Sequence, residues 1–169
     1  MTVLAERDLQ IRLPAGATGR RLDDPTTHGL SHCMKAVDFI VELADRIYFI
    51  ELKDPEDPEA TAERRQEFIK NLQSGALDAN LKLKFRDSFL YEWASGRVDK
   101  PIHYLVLIGL TSLTSAELLV RTDALRKQLP LLGPQGTPWH RPLAAGCAVL
   151  NIAAWNRALS TMPVRRVSL

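Results

Sequence analysis

Asp38, Glu51 and Lys53 are of the types and at the spacing that metal-assisted hydrolysis needs. Asp38 lies in MKAVDFIVEL (34–43), and Glu51 and Lys53 lie in DRIYFIELKD (45–54). Both segments are rich in Val, Ile and Phe and apolar on both faces, which predicts two strands of a sheet covered on both sides. Ala44 and Asp45 leave room only for a tight turn, so the pair reads as an antiparallel hairpin. With that turn Asp38 stands opposite Glu51, their Cβ atoms about 4.5–5.5 Å apart. Lys53, two residues on, projects from the same face. A one-residue slip would set Asp38 against Leu52 and turn every apolar side chain to the wrong side.

Two carboxylates directly opposed on central strands repel each other, and burial raises the cost. A divalent cation between them removes it, and oxygen ligands of this kind suit Mg²⁺ or Mn²⁺. Such an ion polarises a phosphoryl oxygen and acidifies a bound water, while the ammonium of Lys53 positions that water and stabilises developing charge. The competing expectation is an exposed hairpin, with Lys53 neutralising two acids in water. The apolar character of both strands opposes it.

Asp38 followed by Glu51-Leu52-Lys53 on the next strand, with a helix after it, resembles the PD-(D/E)XK nuclease superfamily. The resemblance covers about residues 34–75 and implies a restriction-endonuclease-like α/β fold, a mixed central β-sheet flanked by helices. It implies Asp38 and Glu51 as metal ligands, the backbone carbonyl of Leu52 as a third, and Lys53 as the catalytic lysine. The implied activity is Mg²⁺-dependent hydrolysis of phosphodiester bonds in nucleic acid, usually DNA. Val37 stands where the family pattern has proline. For the acid that often precedes the hairpin, Glu6 is the first candidate and Asp23 or Asp24 the next. Gln66 or Lys70 is expected to line the site from the following helix. The alternative expectation is a catalytically degenerate module of the same fold, serving as a binding or structural subunit of a larger defence or repair complex.

Other residues have a chemical and a plain reading. His28 or His32 could approach a cation or a phosphate, but loop histidines are expected. Cys33 reads as a small buried hydrophobe. Lys82, Lys84 and Arg86 could contact phosphates, though a solvated helix face is favoured. Trp139-His140-Arg141 could stack on a base, but a tryptophan packed under a loop is the commoner outcome. Arg165 and Arg166 are consistent with a polyanion contact or a mobile tail.

These residues need a scaffold, and the rest of the chain predicts one. VLAERDLQIRLP is open between strand and short helix, and residues through Gly29 read as loop. After the hairpin, Asp57 and Pro58 are expected to start a helix that weakens at Gly75. A second helix carries Leu77, Leu81, Phe85, Ser88 or Phe89, and Trp93 inward. A buried strand (101–110), a helix (115–129), a Gly/Pro loop (130–142) and a strand running into a short helix follow. Composition fits one domain over 1–169: 46% of the 169 residues are hydrophobic and 25% charged, which excludes disorder or collagen as a description of the whole. Two cysteines exclude a disulfide framework. No signal peptide or membrane-length apolar run is read, so a cytoplasmic setting without membrane contact is expected. Net charge is only +2, divided as −3 over residues 1–100 and +5 over residues 101–169. Nucleic acid, and a second copy of the chain or a partner protein subunit, are the expected partners.

Overall fold

The structure is a computed structural model describing residues 2–137 and 139–167. Pro138, inside the expected Gly/Pro loop, and both extreme termini of the expected 1–169 domain lie outside the described residues.

The main sheet has five strands: β3 (Thr18–Arg21), β4 (Phe39–Glu42), β5 (Ile47–Lys53), β6 (Ile102–Ile108) and β7 (Gly146–Leu150), adjacent in that order. The first three pair antiparallel and the last two join in parallel. The parallel crossovers need long connections. These are α2 (Ala62–Ser74) with α3 (Ala76–Ala94), and then α4 (Ser115–Gln128). β5 is the central strand, buried from Ile47 to Leu52, which is why it reads apolar on both faces.

Alternation along the strands divides the core. Ile40, Phe49, Tyr104, Val106 and Ile108 pack against Leu72, Leu81, Phe85, Leu118 and Leu125 of the three helices. Phe39, Val41, Ile50, Leu105 and Leu107 face the other way, against Leu9, Ile11, Trp155 and Val164. That second layer is a small antiparallel sheet of β1 (Val3–Glu6), β2 (Leu9–Arg12) and β8 (Val164–Arg166), with α5 (Ile152–Ala158). Trp155 is wholly buried and donates its indole N–H to the Met162 carbonyl at 2.7 Å.

Several expectations change here. The open segment at the start is a hairpin whose turn puts Arg7 at φ 52°. Thr18–Arg21, read as loop, is the edge strand β3. The strand expected to begin at residue 34 joins the ladder only at Phe39. α2 starts at Ala62, where the Thr61 hydroxyl accepts from the Arg64 N–H, and not at Pro58. Asp57 instead accepts from the Glu59 N–H and pairs with Arg7, in a turn that precedes the helix. Trp93 is 61% exposed, and Glu92 takes the inward place beside Arg20 and Arg97. Arg166 lies on β8, clamped to Asp8 and Asp54. The expected stop at Gly75 is present, with φ 80°, a left-handed conformation that a Cβ would strain. Among the described residues no helix is long and apolar enough to cross a membrane.

Candidate functional site

The hairpin register places the site. Phe39 pairs with Ile50, Ile40 with Phe49 and Val41 with Tyr48, across a turn at Ala44-Asp45 closed by the Leu43 N–H on the Arg46 carbonyl. The same register, carried one step past β4, sets Asp38 across from Glu51. Asp38 has left the ladder. Its carbonyl accepts from the Leu22 N–H at 2.9 Å, and its Oδ2 accepts from the Leu52 N–H at 2.6 Å. The aspartate thus fastens the loop before β4 to the end of β5.

Phe49, Glu51 and Lys53 alternate onto the helix-facing side of β5. Glu51 is 0% exposed. Its Oε1 lies 2.6 Å from the Lys53 Nζ and 2.9 Å from the Lys84 Nζ. Among the described residues neither carboxylate oxygen has a hydrogen-bond partner, and the shortest contact of each lysine is to Oε1. Lys84 also reaches Asp38 Oδ1 at 3.6 Å and Asp23 Oδ2 at 3.1 Å. One ammonium therefore stands among three carboxylates.

Burial dominates the electrostatics. It pushes the Glu51 carboxyl up to about 7, helped by the neighbouring Asp38 and opposed by both lysines. It raises Asp38 as well, against the pull of Lys84 and the Leu52 N–H. Burial also works to lower Lys84, but Glu51, Asp38 and Asp23 outweigh it and hold the ammonium charged well above its ordinary range. Tyr104 lies beneath, donating its hydroxyl to the Leu81 carbonyl at 3.0 Å, and burial with the two acids above keeps it neutral.

Asp38, Glu51 and Lys53 are therefore together, and Lys84 joins them. Lys84 was expected on a wet helix face, yet its side chain is only 12% exposed. It sits three residues after Leu81 and four before Ser88, both buried, so the core-facing stripe of α3 was the available signal. Lys82 is half-buried and Arg86 exposed. Lys53 opens onto a cleft of about 460 Å³ bounded by Glu6, Arg7, Arg64, Arg65 and Phe68.

The other candidates are dispersed. Glu6 borders that cleft but pairs with Arg21 at 2.5 Å. Of the three acids weighed for the leading position, Asp23 is the one that pairs with a site residue, while Asp24 caps α1 (Pro25–His28) through the Thr26 N–H. Gln66 and Lys70 are exposed and line neither that cleft, where α2 presents Arg64, Arg65 and Phe68, nor the separate hollow that Lys53 also borders, where it presents Arg64, Glu67, Phe68 and Asn71. His28 accepts from the Leu30 N–H and packs edge-on against Tyr91. Cys33, expected buried, is exposed. Trp139 is 42% exposed beside the Gly133 backbone, and Arg141 bonds the Val98 carbonyl.

Among the described residues no three His, Cys, Asp or Glu side chains gather closely enough to enclose an ion. Two opposed carboxylates with a spare buried oxygen do fit Mg²⁺, which keeps several waters and takes only one or two protein carboxylates with substrate oxygens. The ammonium of Lys84 between them shows that the pair accommodates positive charge. Comparison of the chain with family models, with curated proteins and with solved structures returns no match.

Proposed function

We propose that this protein is a metal-dependent nuclease of restriction-endonuclease-like fold, hydrolysing phosphodiester bonds in nucleic acid, with DNA as the favoured partner and the cytoplasm as the setting. The observation that carries the reading is the convergence of Asp38, Glu51 and Lys53 at one end of the central strand, with Glu51 fully buried and one of its oxygens unpartnered. The mixed sheet, with its antiparallel β3–β4–β5 meander followed by helices and a parallel β6, supports the reading.

In this reading Asp38 and Glu51 hold Mg²⁺ or Mn²⁺, with the Leu52 carbonyl as backbone ligand. The bound ion supplies charge neutralisation at the phosphoryl group and an acidified water. Lys53, 27% exposed at the cleft, donates N–H to that water or to a non-bridging oxygen and stabilises the negative charge that grows there. The Leu52 N–H fixes the Asp38 carboxylate, so one ligand is oriented by the strand that carries the other.

The test is incubation of linear and circular DNA with the protein and Mg²⁺, beside Asp38→Asn, Glu51→Gln and Lys53→Ala. Cleavage by the parent and by none of the variants is expected. Variants that cut as the parent does would remove the assignment. A second reading, a nuclease-fold module without catalysis, is favoured because among the described residues no third acid gathers with Asp38 and Glu51 closely enough to share an ion, Asp23 meeting only Lys84, and because Lys84 fills the space between the two. It predicts no divalent-cation binding together with a stable complex with another protein.

A further inference from the structure

We propose that Lys84 is a resident counter-ion of the cation site: its ammonium occupies the place between Asp38 and Glu51 in the metal-free protein and withdraws toward Asp23 when a divalent cation enters. The inference rests on the nuclease reading only in taking Asp38 and Glu51 as the cation-holding pair.

Four observations carry it. The Lys84 Nζ is 2.9 Å from Glu51 Oε1 and 3.6 Å from Asp38 Oδ1, and no other ammonium among the described residues touches both acids. The lysine comes from α3, across from the strands that carry the acids, so its position does not follow from the hairpin. Asp23 is 45% exposed and already holds the same Nζ at 3.1 Å on the outer side, which gives the ammonium a second partner nearer solvent. Glu51 Oε2 is buried without a hydrogen-bond partner among the described residues, and the shortest Lys84 contact is to Oε1, so the pair retains an oxygen free to ligate.

Lysine suits this task. Its charge is compact and sits on a flexible four-carbon stem, so it can move without moving α3. Without it, two buried carboxylates would face each other with only Lys53 to offset them. With a divalent ion between the acids, an ammonium in the same space would be repelled at short range. Site neutrality is therefore kept by exchanging one cation for another. Lys53 is placed differently, touching Glu51 alone and opening to the cleft, and is not displaced.

The experiment has two arms, both on the full chain. Calorimetric titration with Mn²⁺ compares the parent with Lys84→Met and Asp23→Asn. Binding about tenfold tighter in Lys84→Met is expected from loss of the competing charge, and a few-fold weaker in Asp23→Asn from loss of the second partner. In the other arm, an acylating reagent labels lysines of the parent with and without Mn²⁺, read by peptide mass spectrometry. Labelling of Lys84 should rise several-fold with the metal while that of Lys100 stays constant. Parent and Lys84→Met binding Mn²⁺ equally, or unchanged Lys84 labelling in a parent that binds the ion, overturns this inference and leaves the nuclease reading in place. A parent that binds no Mn²⁺ overturns both. Should Lys84→Met fail to fold, the labelling arm decides alone.

Discussion

Two acidic clusters lie next to each other along the chain and are treated in opposite ways. At Asp54, one residue beyond Lys53, the guanidinium of Arg166 pairs with Asp54 at 2.7 and 2.6 Å and with Asp8 at 3.1 and 2.9 Å, and also donates to the Gly109 carbonyl. Those contacts raise Arg166 further above its ordinary range despite partial burial. Each carboxylate there has a fork to bind, and the clamp joins β8, the β1–β2 turn and the ends of β5 and β6. At Glu51 the central acid is fully buried, the cations are point charges on flexible stems, and Oε2 has no hydrogen-bond partner among the described residues. The first cluster is closed and holds the fold together. The second is kept incomplete, and in a folded protein an incomplete buried charge cluster is where a ligand is to be sought.

The largest effect that can separate them is Arg166→Ala. It strands two largely buried carboxylates and should cost about 4 kcal/mol of stability, read by urea unfolding, while folded protein keeps the cleavage proposed for the Glu51 cluster. Lys53→Ala should do the reverse. Cleavage should fall by roughly 10²–10³-fold, with the melting temperature nearly unchanged. If Lys53→Ala instead lowers the melting temperature by many degrees while the protein that remains folded cleaves as the parent does, the roles of the two clusters are exchanged.

A third effect concerns pH. Burial holds the folded Glu51 carboxyl at about 7, above its ordinary 4.5, so the folded state keeps this proton to higher pH than the unfolded state does. Its ionisation therefore costs nothing below pH 4.5, costs progressively more from 4.5 to 7, and is fully felt above 7. Glu51→Gln lacks that cost. Relative to the parent it should gain about 3 kcal/mol between pH 4.5 and pH 8 in paired unfolding curves. A difference that does not move with pH would mean that the two lysines already compensate Glu51 in full. The smallest effect belongs to the closed cluster. A Cβ at Gly109 would come 2.3 Å from Asp54 Oδ1, so Gly109→Ala should loosen the Arg166 clamp and cost about 2 kcal/mol by thermal melt, without altering metal binding.

The hairpin was legible because three signals agree: β-branched and aromatic runs, a two-residue turn, and a register that places both acids on one face. The mixed sheet followed from strands alternating with helices. What escaped the sequence did so for physical reasons. β3 is TGRR and β8 is VRR, short polar edge strands made extended by their neighbours and not by their own residues. Arg166 has partners more than a hundred residues away, so nothing local distinguishes it from a loose basic tail. Asp57 looks like a helix cap, but Arg7 claims it from another part of the chain. Lys84 was misjudged because a lysine on an amphipathic helix is assigned to water by default. Only its place between Leu81 and Ser88 on the inward stripe hinted that the acids of the hairpin would draw it in.

The idea that Asp38 and Glu51 form a cation site is tested most directly by crystals soaked in Mn²⁺ and measured for anomalous scattering. One strong peak between these carboxylates, with the Lys84 side chain turned toward Asp23, is the expected result. A map with no peak there, the ammonium of Lys84 still between the two acids and Mn²⁺ in excess in the soak, would contradict it.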